Sequence, residues 1–354
     1  MNILILVSSL VVGGAEKQAI NDANMLCGNN NTHLLVFNDG MLNVNLSNKV
    51  TYLVVKKYGY LETSKRIANY IIENNIEIIH TSLFAPMIIG AIASLRTKTP
   101  IFWTFHSHEY DIPLKSKIAI MLLARNKRLK NIFYVNNELM HFFEERLKLP
   151  TKKSNILYNS TAVIPNKKKE KEQIKEMICI GYVGRLVELK RVHFLLELAL
   201  FLKENNLSNF SIEIYGDGES RDELENFCLK YQLNDVVIFH GFKTDLQQAY
   251  QSFDLFINPS REECLSVATI DAGIMGKPII VFDVGGNNEI VIHNKTGFVI
   301  NSKEELFKKT KEMLLDHKKR VMFGESAMNH CESNFTEEIR KNTLTQYFLN
   351  ARKS

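Results

Sequence analysis

A chain of 354 residues with 45% hydrophobic and 23% charged side chains has the composition of a globular protein and the length for two domains of ordinary size, which excludes collagen-like, low-complexity and broadly disordered classes. Its cysteines, Cys27, Cys179, Cys228, Cys264 and Cys331, form an odd set without C-x-x-C spacing, which argues against a disulfide framework or a zinc site and fits a reducing cytoplasm. The net charge of +5 is uneven: residues 1–160 carry 18 Lys and Arg against 11 Asp and Glu, the remainder 26 against 28, so the first half holds the positive field.

The opening MNILILVSSLVV lacks a basic leader and runs into GGAEKQ, the chemistry of a loop and a helix, so it reads as a strand and not as a signal peptide. From there, short runs rich in Ile, Val and Leu alternate with longer stretches of helical period, the pattern of parallel sheets with crossover helices. A first series of strands is predicted at 2–7, 33–37, 50–55, 76–80, 101–105 and 132–135. Within it, LFAPMIIGAIASL (83–95) falls short of the roughly 18 apolar residues a membrane span needs. LKSKIAIMLLARNKRLK (114–130) is apolar in the middle and basic at both ends. It fits an interfacial helix on anionic lipid and equally a buried crossover helix with snorkelling ends.

TAVIPNKKKEKEQIKEM (161–177) is charged and poor in large apolar residues after Pro165, so it reads as a linker. A second series of strands follows at 178–183, 211–215, 236–240, 254–258, 278–282 and 297–300, then a capping box S-K-E-E from Ser302 and two or three helices. The expected architecture is α/β, with two doubly wound parallel-sheet domains at 1–165 and 166–335 and a final helix, 336–354, packing back on the first. Ligands of such sheets bind at the carboxyl ends of strands.

Four groups of residues fall there. Gly13-Gly14-Ala15-Glu16 follows the first strand, where glycines serve either an anion cradle or a tight turn; the spacing is not that of a dinucleotide fingerprint. Arg185 and Lys190, in GRLVELKR, flank a helix start and suit a diphosphate. Tyr215-Gly216-Asp217-Gly218 and His240-Gly241-Phe242 are turn punctuation taken singly, but all share one sheet edge. Finally, REECLSVATID reads as a helix whose eight residues from Glu263 to Asp271 rise about 12 Å, comparable with the span from a sugar to the ribose across a diphosphate, so Glu263 suits a sugar and Asp271 ribose hydroxyls; acids favoured by a helix N-terminus explain Glu262 and Glu263 equally but leave Asp271 unexplained.

In this order the motifs resemble those of the retaining GT-B glycosyltransferases of family four. They are the GGAE loop, TFH at 104–106, G-R-L-x(3)-K ending at Lys190, G-D-G at 216–218, F-x-G at 239–241, D-x-F-x-x-P-S-x-x-E ending at Glu263, G-x-P at 276–278 and G-G-x-x-E at 285–289. The resemblance implies a GT-B fold, its two Rossmann-like domains facing across a cleft, the first binding acceptor and the second a nucleotide sugar. It implies a catalytic set of His106, Arg185, Lys190 and Glu263. Donor-binding residues would be Gly14, Gly216, Gly218, Phe242, Cys264, Leu265, Ser266 and Asp271. The departures are Asp271, where the family usually has glutamate, and Cys264, where it has glycine.

The implied reaction is retaining hexosyl transfer from a nucleoside-diphosphate sugar, UDP-sugar favoured, by a front-face mechanism. The acceptor would be a glycan, free or on a polyprenyl diphosphate, in bacterial polysaccharide, lipopolysaccharide or capsule synthesis. No D-x-D occurs, so no metal and no cofactor beyond the nucleotide sugar is expected. The expected placement is cytoplasmic, with peripheral contact at an anionic membrane face and no nucleic-acid partner. A nucleotide-sugar epimerase or phosphorylase of the same fold, or a catalytically idle donor-binding subunit, are the alternatives; a hydride-transferring Rossmann enzyme is disfavoured by the missing fingerprint.

Overall fold

The computed structural model describes residues 1–11, 13–108, 112–164 and 177–352. The chain divides into two compact units, Met1–Ser160 with Glu337–Ser354, and Thr161–Thr336. The linker run lies largely at 165–176, outside the described residues.

The first unit is built on β1 (Asn2–Ser9), β2 (Asn31–Asn38), β3 (Thr51–Val54), β4 (Ile78–Ser82), β5 (Ile101–Phe105), β6 (Leu129–Tyr134) and β7 (Ser154–Ile156). They pair in parallel in the order β3-β2-β1-β4-β5-β6-β7. Crossovers run through α1 (Gly14–Leu26), α2 (Tyr60–Glu73), α3 (Phe84–Thr97), α4 (Leu114–Leu123) and α5 (Asn137–Leu147). β4 and β5 are buried at every position, because strands covered on both faces exclude water from both sides. That is why they read as unbroken apolar runs. Six of the seven strands stand within a few residues of their predicted places. β7, sequence SNI, is three half-buried residues without the apolar run that marks the others. The basic run after α4 is not helical: the helix ends at Leu123, and Lys130 already lies on β6.

The second unit carries β8 (Ile178–Val183), β9 (Phe210–Tyr215), β10 (Val237–Gly241), β11 (Leu255–Asn258), β12 (Ile279–Phe282) and β13 (Gly297–Ile300), all parallel in the order β10-β9-β8-β11-β12-β13. Its helices are α6 (His193–Glu204), α7 (Arg221–Lys230), α8 (Gln247–Ser252), α9 (Val267–Ile274), α10 (Asn287–Ile290), α11 (Lys303–Leu315) and α12 (His317–Asn334). The S-K-E-E start works as a cap: Ser302 Oγ accepts the Glu305 N–H at 3.2 Å, while Glu305 Oε2 accepts the Asn301 N–H at 2.7 Å. Strand order reverses beside β1 in the first sheet and beside β8 in the second, the switch points at which α/β sheets open toward ligands.

The last helix, α13 (Glu337–Arg352), belongs to the first unit. Leu344 and Phe348 are wholly buried with Ile3, Ile20, Phe102 and Phe133, and Phe348 lies 4.9 Å from Phe102 between ring centres. Arg340 clamps Asp22 on α1 with two bonds, 2.6 and 2.8 Å, side chains only 2% and 3% exposed. Its remaining donors reach the carbonyls of Leu157 and Tyr158, and Gln18 ties Asp22 to Ser160. Burial works against the charged form of Asp22, but the Arg340 guanidinium outweighs it and holds the carboxyl below its ordinary value. A buried pair of this kind is costly to break, because removing one partner strands the other charge.

Candidate active site

In the second unit three loops at the carboxyl ends of strands are stitched together by backbone bonds. The Gly184 N–H donates to Tyr215 O at 3.0 Å, Leu186 to Asp217 O at 3.0 Å, and Gly216 to Gly241 O at 2.9 Å. Gly216 and Gly218 are what allow this approach: a Cβ on the first would lie 1.8 Å from Gly184 O, and on the second 2.4 Å from Leu186 O. The G-D-G motif therefore has a job in loop packing whatever it binds. Phe242, just beyond, is 57% exposed. Arg185 projects from this platform; it is exposed, and its guanidinium makes no hydrogen bond or ion pair among the described residues.

Lys190 closes a single 3-10 turn, Glu188–Lys190, and its Nζ donates to Glu263 Oε1 at 2.6 Å. Two residues assigned to different parts of a donor are thus bonded to each other, 18% and 14% exposed. Ser260 Oγ and Asn258 Nδ2 lie 3.0 and 3.3 Å from the same oxygen, but the one Ser260 hydrogen and the two of Asn258 have nearer acceptors, whereas Oε2 receives no bond from the described residues. Asn258 ends β11 and organises the whole loop: its Oδ1 accepts from Ser260 Oγ at 2.6 Å, and its Nδ2 reaches Ser266 Oγ and Thr269 Oγ1 at 3.2 and 3.1 Å. From the other side Gly286 N–H donates to Cys264 O at 2.7 Å. Gly285, at φ +54°, leaves no room for a Cβ, which would sit 1.8 Å from Glu263 O.

The helix predicted from Glu263 onward is corrected here. α9 starts only at Val267, with Ser266 as its N-cap accepting from the Thr269 N–H. Glu263 lies in the preceding loop, so the helical 12 Å rise does not apply to the pair. Leu265 is 5% exposed and belongs to the core. Cys264 is not among the residues of positive φ; the loop needs no glycine freedom there, and the cysteine imposes no backbone strain.

Asp271 bonds into a different group. The Thr161 hydroxyl donates to its Oδ1. Burial lifts the neighbouring Tyr250 phenol well above its ordinary value, and the Asp271 charge adds to it. Burial likewise pushes the Cys331 thiol up to about 12, again reinforced by Asp271.

In the first unit His106 follows β5, 9% exposed, its Nε2 3.2 Å from Ser82 Oγ at the end of β4. Burial first, and then the Arg340 charge, push its pKa down to about 3, so the imidazole is neutral at ordinary pH. Gly14 opens α1, and a Cβ there would meet nothing within 4 Å; its N-cap, Gly13, offers no side-chain cap. Asn258, Ser82 and Thr161 carry no spacing signal in the sequence, and Gly285 enters there only as the first glycine of G-G-x-x-E. Asn258 and Ser260 stand inside the D-x-F-x-x-P-S-x-x-E block, but their closeness to Glu263 is a matter of three-dimensional geometry. Among the described residues no three His, Cys, Asp or Glu side chains gather in a way that could hold a metal ion.

Residues 163–330 match the glycosyl transferases group 1 and residues 12–162 the glycosyltransferase family 4. The chain belongs to these glycosyltransferases. An uncharacterised glycosyltransferase of Haemophilus influenzae is 24% identical over 311 residues, covering 84% of this chain and 85% of its own length. The UDP-Gal:α-D-GlcNAc-diphosphoundecaprenol α-1,3-galactosyltransferase of Escherichia coli is 26% identical over 240 residues, 63% of this chain and 62% of its own. The Anabaena protein HepE, solved in complex with UDP, superposes with a TM-score of 0.84 at 20% identity, covering 99% of this chain and all (100%) of its own. That likeness, with the two parallel sheets, makes the fold of this glycosyltransferase GT-B.

Proposed function

We propose that this glycosyltransferase moves a hexose from a UDP-sugar to a hydroxyl of a glycan or lipid-linked glycan, with retention and without a divalent metal. The observation that carries the reading is the state of Glu263: the Lys190 ammonium holds Oε1 at 2.6 Å with Ser260 and Asn258 close beside it, leaving Oε2 to accept sugar hydroxyls. Lysine has three N–H donors, and Glu263 takes one from Lys190; the other two, with Arg185, unpaired among the described residues, serve the diphosphate. Cationic groups aimed where charge builds on the leaving phosphate stabilise the transition state more than the ground state. The bond from the anomeric carbon to the β-phosphate oxygen breaks as the acceptor oxygen bonds to that carbon on the same face. The acceptor's proton passes to the departing phosphate.

The remaining roles follow the same logic. A neutral His106 donates to the sugar without setting a positive charge beside an oxocarbenium-like carbon. Asp271, which already accepts from the Thr161 hydroxyl, is suited to accept ribose hydroxyls in its place. Gly14 keeps the first turn of α1 open to an anion. Gly216, Gly218, Phe242, Cys264, Leu265 and Ser266 shape the donor loops. The UDP held by HepE and the UDP-Gal donor and diphosphoundecaprenol acceptor in the Escherichia coli relative's name support a UDP-sugar and a lipid-linked glycan.

α4 supports peripheral contact with anionic membrane. It is apolar yet buries only Ile120. Leu114, Ile118 and Leu122, four apart on one face, are 71%, 48% and 68% exposed. The stretch 114–130 has six Lys and Arg and no acid. An apolar helix left uncovered marks an interaction surface, and the cations match anionic headgroups. No helix among the described residues is long and apolar enough to cross a membrane.

A screen of UDP-, GDP- and ADP-sugars in EDTA, reading nucleotide release and the anomeric configuration of the product, tests the proposal. Transfer from a UDP-sugar with retention is expected. Inversion, a strict need for added Mg²⁺ or Mn²⁺, or nucleotide binding without turnover would overturn it.

A further inference from the structure

The edge of the first sheet carries a cluster for which donor binding has no use. Among the described residues β3 is the terminal strand, paired to β2 alone, and Leu53 and Val54 are 41% and 43% exposed. Beyond its carboxyl end the chain reads Lys56-Lys57-Tyr58-Gly59-Tyr60, all exposed. Cations and rings interleave there. Lys56 Nζ and the Arg66 guanidinium lie 5.3 and 4.3 Å from the centre of the Tyr58 ring, and Lys57 Nζ lies 5.5 and 6.0 Å from those of Tyr60 and Phe37.

A hollow of about 370 Å³ adjoins them between β3 and α2, walled by apolar Leu53, Val54 and Ile67 and by polar Lys56, Arg66 and Asn69. Glu73 is the acid in that lining. Glu62, 3.3 Å from Arg66, is about half exposed, as is its partner, so it offsets little of that charge.

Lys56 and Arg66, drawn to one ring with Lys57 next in the chain, repel one another unless an anion joins them. Tyrosine faces, electron-rich at the ring, hold cations in place, and the Asn69 amide offers both donor and acceptor to a sugar. A bare β-strand pairing with β3 would cover Leu53 and Val54 but leave the cations uncompensated.

We propose that this edge binds a saccharide carrying phosphate or carboxylate, with Lys56, Lys57 and Arg66 on the anionic group and the Tyr58 ring holding Lys56 and Arg66 in place for it. This rests on the glycosyltransferase reading and narrows it: the acceptor is an anionic glycan, engaged at the carboxyl edge of the first sheet.

The test titrates the full chain with tetragalacturonate, with N-acetylglucosamine 1-phosphate and with neutral chitotetraose, alongside UDP. At least one acidic probe binds tenfold or more tighter than the neutral one, and which of the two does so separates a carboxylate from a phosphate source. Tyr58→Ala and Lys56→Glu each weaken that probe tenfold or more and leave UDP affinity unchanged. Equal binding of acidic and neutral probes, no saccharide binding while UDP binds, or indifference to both variants overturns the site. So does a concentration-dependent dimer abolished by Leu53→Lys, which would assign the edge to strand pairing. If the acidic probe binds but no UDP-sugar is turned over, the site stands and its role as acceptor subsite falls.

Discussion

Replacing Glu263 with glutamine keeps the side chain's shape and removes its charge, and two readouts should then move in opposite directions. In the parent the Lys190 ammonium and the Glu263 carboxylate meet at 2.6 Å, only 18% and 14% exposed, so the pair is shielded beyond the surface bridges worth roughly 0–1 kcal/mol. Freed from the carboxylate, Lys190 becomes more available to a diphosphate. Taking about 1 kcal/mol for the released attraction, UDP binds about fivefold tighter. Turnover falls, because an amide accepts sugar hydroxyls less well than a carboxylate. A hydrogen bond to a charged group is worth about 1.5–3 kcal/mol, which is roughly a 10- to 150-fold lower rate. Titration calorimetry with UDP and initial rates of UDP release measure the two effects. Lys190→Met, by contrast, should weaken UDP binding and turnover together. If Glu263→Gln weakens UDP binding while sparing turnover, the division of labour between the two residues is wrong.

The buried histidines set an acid limit. Burial holds His106 at about 3 and His80 at about 4, against an ordinary 6.5, so between pH 6.5 and 4 the unfolded chain takes up protons that the folded first unit refuses. Stability then drops by up to about 1.4 kcal/mol per pH unit for each histidine and levels off above about pH 7. Asp22, held below its ordinary value, adds its loss only under about pH 4. Melting temperature against pH should fall in this window and flatten for His80→Gln; a level profile from pH 7 to 4.5 would refute the argument. Arg340→Met strands the Asp22 charge and should cost about 3–5 kcal/mol, read by urea unfolding, with Asp22→Asn on top restoring part of it. The double change Leu114→Ser and Leu122→Ser should sharply reduce co-sedimentation with anionic liposomes, and unchanged binding would show that α4 is not the contact.

Alternation of short Ile/Val/Leu runs with helical stretches was enough to place twelve strands in two doubly wound sheets, because parallel strands buried on both faces have no other way to be written; the strand order within each sheet was not legible there. What escaped was set by distance in sequence. β7 stabilises an edge with three residues, too few for a pattern. The bond from Lys190 to Glu263 spans 73 positions, and spacing along the chain says nothing about it. REECLSVATID looks helical throughout because Val267 to Ile274 is. Its first residues are instead held out of the helix by Asn258 and by the close approach of Gly285. The glycines of G-D-G were legible as turn residues, but the reason they must be glycine lies in a neighbouring loop. α4 was ambiguous by nature: an apolar stretch reads alike whether protein or something else covers it.

The return of α13 to the first sheet has a consequence for synthesis. When Ser160 leaves the ribosome, Asp22 is already committed to an interior whose counter-charge, Arg340, lies 180 residues downstream, the whole second unit intervening. At the usual 5 to 20 residues per second the wait is on the order of 10 to 40 s. Throughout it the groove awaiting Leu344 and Phe348 stands open to solvent, and to chaperones. The second unit, contiguous from Thr161 to Thr336, is free of this dependence, so the half made first is completed last.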